Sequence, residues 1–281
     1  LNIFKLLGYI VQQCPAGRKA VLSEGGNFPT DGYIAQGFCQ VSGSDHRFLP
    51  EGASLADHLD GVAVVVLSQV NYRTGKLRDM AATTKLVHDH GAEAIWDLAH
   101  SAGALPIDLN GAGARFAVEC TYKYLNGGPG APAFLYVHES VHNGGWQPLS
   151  GWHGHRSPFA FDADYAPADD ISRFRTGTHS ALAYAALEAS LTLWAEVDMQ
   201  ALRDKSLALS NLFRECLGDL FQTHGIEDIT PEDDERGSQV SLIDSEHGYA
   251  IVQALIARGV IGDYREPGLV RFGFTPLYLS Y

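Results

Sequence analysis

Of the six lysines in this 281-residue chain, one stands where it could do chemistry. Lys123 follows the apolar run Phe116–Cys120, sits between Tyr122 and Tyr124, and has Gly127 and Gly128 just beyond it. Flanking rings partly desolvate an amine and lower its pKa, as a Schiff-base nucleophile needs. Lysines are more often surface residues with the ammonium in water, so this position alone leaves both readings open. Asp97 ends a second apolar run, Ala94-Ile95-Trp96, which puts its carboxylate near the carboxyl rim of a sheet. By type it could equally cap the next helix. The two reinforce each other: a lysine that holds an aldehyde and a carboxylate that keeps a ring nitrogen protonated are what pyridoxal phosphate requires. The 26 residues between them leave room for one crossover and one strand. Arg271 is a third candidate. Alternation in Leu269–Phe274 sets Val270, Phe272 and Phe274 on one face and Arg271 on the other. There a guanidinium can grip a carboxylate bidentately, or simply be solvated.

The elements that must position these residues read as an α/β chain. Strand candidates are Ala20–Ser23, Val62–Leu67, Ala94–Leu98, Phe116–Cys120 and Ala133–Val137, alternating with amphipathic segments as in a parallel sheet with helical crossovers. Asp79–His90 places Met80, Thr83/Thr84 and Val87 on one helical face and stops at Gly91. Ser54 and Asp57 resemble a capping pair. Gly144–Thr178 is rich in Pro, Gly, Asp and aromatic residues and reads as a long loop. Helices follow at about His179–Val197 and Met199–Thr223, then strand–helix–strand at Gln239–Ile243, Glu246–Arg258 and Leu269–Phe274. The expected division is a large sheet domain over 1–175 and a smaller α+β domain over 176–281. Ligands of open parallel sheets bind at the carboxyl ends of strands, which singles out Ser23–Asp31, Ser68, Asp97–His100, Thr121–Tyr124 and the loop Gly151–His155.

Composition removes several function classes. The formal charge of −13 supplies no cationic surface for nucleic acid or anionic lipid. Val62–Leu67, the longest strongly apolar run, is far short of the roughly 20 residues of a spanning helix, so the chain reads as soluble. Cys14, Cys39, Cys120 and Cys216 form no CxxC and suit a reducing, cytoplasmic setting. The first residues read as an amphipathic helix without a signal-peptide cleavage site, and the start at Leu1 suggests a piece of a longer protein. No GxGxxG or YxxxK pattern supports a nicotinamide enzyme. No metal site is expected: His88 and His90, two apart on a helix, point roughly 200° apart, although His153 and His155 could be argued.

The segments Gly26–Asp31 (GNFPTD), Asp97–Pro106 (DLAHSAGALP), Tyr122–Pro132 (YKYLNGGPGAP), Gly151–His155 (GWHGH) and Arg258–Tyr278 together resemble kynureninase. That is a family of homodimeric fold-type-I pyridoxal-phosphate hydrolases of tryptophan catabolism and pyridine nucleotide biosynthesis. The resemblance implies that Lys123 carries the cofactor and Asp97 pairs with its ring nitrogen. It places Phe28 over the ring, with Pro29, Thr30 and Asp31 completing that wall, and His100 beside the cofactor. Ser68, Tyr122, Trp152 and Thr178 match further cofactor-contacting positions, Tyr122 and Trp152 near the phosphate, with Tyr122 also a proton donor. Arg271 becomes the clamp for the substrate α-carboxylate. The implied reaction cleaves L-kynurenine, or its 3-hydroxy form, to anthranilate or 3-hydroxyanthranilate and L-alanine. Thr178, after Gly177, bears on the choice of ring. A homodimer is implied, and the apolar N-terminal helix could lie at its interface. The family's phosphate-binding cup is expected before Leu1 and a closing helix after Tyr281. His153 stands where relatives often carry phenylalanine. The alternatives are a cysteine desulfurase-like or aminotransferase-like enzyme, which shares the Asp and Lys, or a non-catalytic chain. A desulfurase needs a reactive cysteine in a mobile loop, which neither Cys120 nor Cys216 suits.

Overall fold

The computed structural model describes residues 1–142 and 144–281. Helix α1 (Asn2–Val11) leads into β1 (Ala20–Glu24), α2 (Pro29–Ser42), β2 (His46–Leu49), β3 (Val62–Ser68), α3 (Met80–Asp89), β4 (Glu93–Asp97), β5 (Phe116–Glu119) and β6 (Phe134–Val137). The six strands form one sheet in the order β2-β1-β3-β4-β5-β6. Pairs from β2 through β5 are parallel. β6, expected to continue that pattern, runs antiparallel to β5. The glycine-rich connection between them forms no crossover helix, without which the chain returns in the opposite direction. β2 was not foreseen: its residues His46–Phe48 are partly exposed and carry no buried run.

The Val/Leu run of β3 is buried along its whole length, as a strand covered on both faces must be. On one face Val64, Val66, Ile95 and Phe116 meet α1 and α2, and on the other Val65, Leu67, Trp96 and Ala117 meet Met80 and Val87 of α3. The apolar side of α1 is consumed here: Leu6, Leu7 and Tyr9 are fully buried within this chain. Its apolar side therefore packs on this chain's own sheet. Asp79 caps α3 by accepting from the Ala82 N–H at 2.9 Å, and Gly91 ends the turn at φ +73°. Thr84, not Thr83, is the buried threonine of its face, and its Oγ1 accepts from Trp96 Nε1 at 3.0 Å. Ser54 and Asp57 form no capping pair: the short turn Ala56–His58 starts after Leu55 with no side-chain cap.

Residues 144–178 are irregular apart from short turns at Trp152–Gly154 and Ile171–Phe174. Next come α4 (Ala181–Trp194), α5 (Met199–His224), β7 (Glu227–Asp228), β8 (Gln239–Ile243), α6 (Gly248–Ile256), β9 (Asp263–Arg265) and β10 (Leu269–Gly273). Strands β7-β8-β10-β9 form a second, antiparallel sheet around Phe221, Val240, Leu242, Val252 and Val270. The two sheets are tied at one seam. Leu77 N donates to Glu235 O at 2.7 Å, Gly237 N to Gly75 O at 2.8 Å, and the buried Tyr124 hydroxyl to Ser238 O at 2.9 Å. That seam holds β10, with Arg271, beside Lys123 and Tyr124, which follow β5.

Candidate active site

The parallel strands deliver polar residues to one rim, where they surround a cleft of about 510 Å³. Asp97 closes β4, Ser68 closes β3, and Lys123 lies four residues past the end of β5. Phe28 precedes α2, whose first residue is Pro29 and whose first turn carries Asp31. Of the residues singled out in the sequence, Phe28, Thr30, Asp31, Ser68, Asp97, His100, Tyr122 and Lys123 line this cleft. A second cavity of about 300 Å³ shares Lys123 and His100 and is walled by Arg271, Asp263 and Gln239. Arg271 therefore approaches the same lysine from the side of the small sheet. It is largely buried, not solvated: Asp263 and the Tyr72 carbonyl accept its N–H groups.

Lys123 Nζ is 3.0 Å from His100 Nε2. Burial, then the positive charges of Lys123 and Arg271, push the His100 pKa down to about 3, so the imidazole is neutral and Nε2 can accept from the lysine. Asp97 accepts from the Ala99 N–H at 2.9 Å. Burial raises its pKa and, with the charge of Asp97, pushes Asp31 up to about 8. Two buried carboxyls this close cannot both ionise cheaply, so the pair holds a proton. Asn27 buttresses them: its Nδ2 donates to Asp31 Oδ2 at 3.1 Å, and its Oδ1 accepts from Ser68 Oγ. Phe28 is 45% exposed, so its ring is a free wall and not core, and it packs edge-on against Tyr72 at 5.5 Å. The Tyr122 phenol, half-exposed, is pushed up to about 12, chiefly by burial and next by Cys120.

Three of the singled-out residues do not face the cleft. Pro29 starts α2 on its exposed side. Trp152 lines a separate depression with Phe161 and Tyr165, and Thr178 is exposed on the loop before α4, although its neighbour His179 does reach the cleft. Residues not singled out also bear on the site. Tyr72 lies between Phe28, edge-on to it, and Arg271, whose guanidinium lies 5.5 Å from the Tyr72 ring. Glu119, 2% exposed, has neither carboxyl oxygen in hydrogen-bonding geometry with a partner among the described residues. Burial, then Asp97, push its pKa up to about 10. Asn27 lies inside the quoted GNFPTD segment, and Glu119 is a charged residue in an apolar strand run; both signals were in the sequence.

Comparison with known proteins decides the family. The kynureninase C-terminal domain family matches residues 202–281. Kynureninase of Burkholderia pseudomallei (strain K96243) is 47% identical over 288 aligned residues, spanning 100% of this chain and 69% of the relative. Kynureninase of Pseudomonas fluorescens is 47% identical over 289, with the same coverage. The chain belongs to the kynureninase family. Solved structures agree on the fold. A C-DES mutant with glycine covalently linked to its PLP cofactor superposes with TM-score 0.81 at 20% identity, covering 99% of this chain and 76% of that one. The apo cysteine desulfurase of Thermococcus onnurineus gives 0.78 at 18%, covering 97% and 72%. At such identities these neighbours speak for the fold, which is that of a fold-type-I enzyme, while the kynureninases speak for the family.

Proposed function

We propose that this kynureninase family member is a carbon–carbon hydrolase (EC 3.7.1.3) that uses pyridoxal phosphate to cleave L-kynurenine to anthranilate and L-alanine. One observation carries the reading: an amine, a proton-holding carboxyl pair and a guanidinium converge on adjoining cavities in a chain 47% identical to kynureninases. The donor set suits the cofactor, with Lys123 to hold its aldehyde carbon, Asp97 and Asp31 to face its ring nitrogen, and the free Phe28 ring to cover its plane. Once bound, pyridoxal phosphate supplies an electron sink for the substrate's α-carbon.

The side chains do the remainder. Asp97 and Asp31, sharing a proton in a buried setting, keep one at the ring nitrogen. His100, neutral, accepts from Lys123 Nζ and keeps that nitrogen aimed into the cleft. With substrate in the cleft, the Lys123 amine would be the base that moves the proton at Cα. Tyr122 retains its phenolic proton well past neutrality and can return one to the leaving alanine carbon. Arg271 binds the α-carboxylate. Water adds to the γ-carbonyl, the Cβ–Cγ bond breaks, the water oxygen leaves in the anthranilate carboxylate, and a proton ends on the alanine Cβ.

The finer assignments are part of the same reading. Trp152 and Thr178 lie outside this chain's cleft, and the exposed rings of Trp152, Phe159 and Phe161 support a homodimer in which that loop meets a second copy. Two separate sheets, one within residues 20–137 and one within 227–273, support a division into two domains near 175/176, and the four free cysteines suit a cytoplasmic enzyme. The desulfurase-like alternative is not favoured. Burial pushes the Cys120 thiol up to about 11, which leaves it without the thiolate such chemistry needs. Incubation with pyridoxal phosphate and L-kynurenine should yield anthranilate fluorescence and equimolar alanine, and their absence from cofactor-loaded protein would refute the assignment.

A further inference from the structure

A carboxylate clamp works only if its guanidinium is fixed before the substrate arrives. Asp263 on β9 lies directly opposite Arg271 on β10 in the antiparallel register, so the two side chains share a face as cross-strand neighbours. Asp263 Oδ2 accepts from Arg271 Nε at 2.8 Å and also from Nη2, while Nη1 donates to the Tyr72 carbonyl. The Tyr72 ring lies against the guanidinium at 5.5 Å. A guanidinium has five N–H donors. Three are taken, along its Nε side and by Tyr72, which leaves one on each terminal nitrogen for a carboxylate. Both residues wall the cavity that opens on Lys123. The Asp263 side chain is 37% exposed and its other oxygen pairs with Arg265 at 2.7 Å, so its hold on Arg271 is not a core packing role.

We infer that Asp263 is the positioning residue for the substrate carboxylate: it holds Arg271 by its side so that the free end of the guanidinium points at the substrate beside Lys123. This rests on Arg271 being the clamp proposed above. Asp263 touches neither substrate nor cofactor in this assignment, and its whole effect passes through Arg271. Its signature is therefore a change in substrate binding that vanishes when Arg271 is gone.

The test is a double-mutant cycle on the holoenzyme with L-kynurenine. Asp263→Ala should raise KM about tenfold with kcat within about twofold, since binding shared by ground and transition states is what is lost. Asp263→Asn, which keeps an oxygen acceptor without the charge, should fall between. Arg271→Ala should raise KM further, and adding Asp263→Ala to it should change nothing more. Cofactor absorbance and the melting temperature of Asp263→Asn should match the parent. A normal KM in Asp263→Ala, a lowered one, an effect that persists in the Arg271→Ala background, or loss of cofactor in Asp263→Asn would each overturn the positioning role. If Arg271→Ala itself leaves KM unchanged, the clamp assignment fails, and this inference with it.

Discussion

Glu119 offers the sharpest physical test of the site's electrostatics. It sits in β5 opposite Phe134, 2% exposed, and burial with the charge of Asp97 pushes its pKa from 4.5 up to about 10. At pH 7 the folded chain therefore binds a proton that the unfolded chain has released. Stability consequently falls as pH rises between 4.5 and about 10. Each pH unit in that window is worth about 1.4 kcal/mol, so the ionisable form lowers stability by about 3 kcal/mol at pH 7. Glu119→Gln removes this dependence but keeps a buried amide, whose cost does not change with pH. Urea unfolding of the cofactor-free protein at pH 6 and pH 8 should show the variant gaining on the parent by about 3 kcal/mol across the two units. Asp31, raised to about 8, slopes the same way, but in both proteins, so it cancels in the difference. Parallel stability profiles for parent and variant would refute the buried neutral carboxyl.

Two further outcomes follow from the geometry. Gly103 adopts φ +81°, and a Cβ there would lie 2.7 Å from the Tyr124 carbonyl carbon, so Gly103→Ala should destabilise by about 2 kcal/mol or more, read as a lowered melting temperature. Asn27→Ala strips Asp31 of the N–H that favours its ionised form, moves the Asp31 pKa further up, and should weaken cofactor binding about tenfold in a dialysis or fluorescence titration.

What was legible in the sequence is what short-range chemistry dictates. The β3 run, the helix ending at Gly91 and the strand-end placement of Asp97 and Lys123 all follow from periodicity and local hydrogen bonding. The rest depends on residues far apart in the chain. Asp263 becomes Arg271's partner only through strand register, Tyr72 reaches Arg271 across the seam between the sheets, and the apolar face of α1 could not be assigned to this chain's own sheet without knowing where that sheet lies. β2 and β9 are short edge strands with partly exposed residues, which carry little periodic signal. β6 turned antiparallel because its connection held glycines and prolines in place of a helix.

Lys123, facing Asp97 and Asp31, is proposed as the covalent anchor of the cofactor. Borohydride reduction of the pyridoxal-phosphate-loaded protein followed by peptide mass mapping tests it directly. A pyridoxyl label is expected on the peptide carrying Lys123 and on none of the other five lysines, and no label in Lys123→Ala. A label on another lysine, or an unlabelled Lys123 in cofactor-loaded protein, would contradict it.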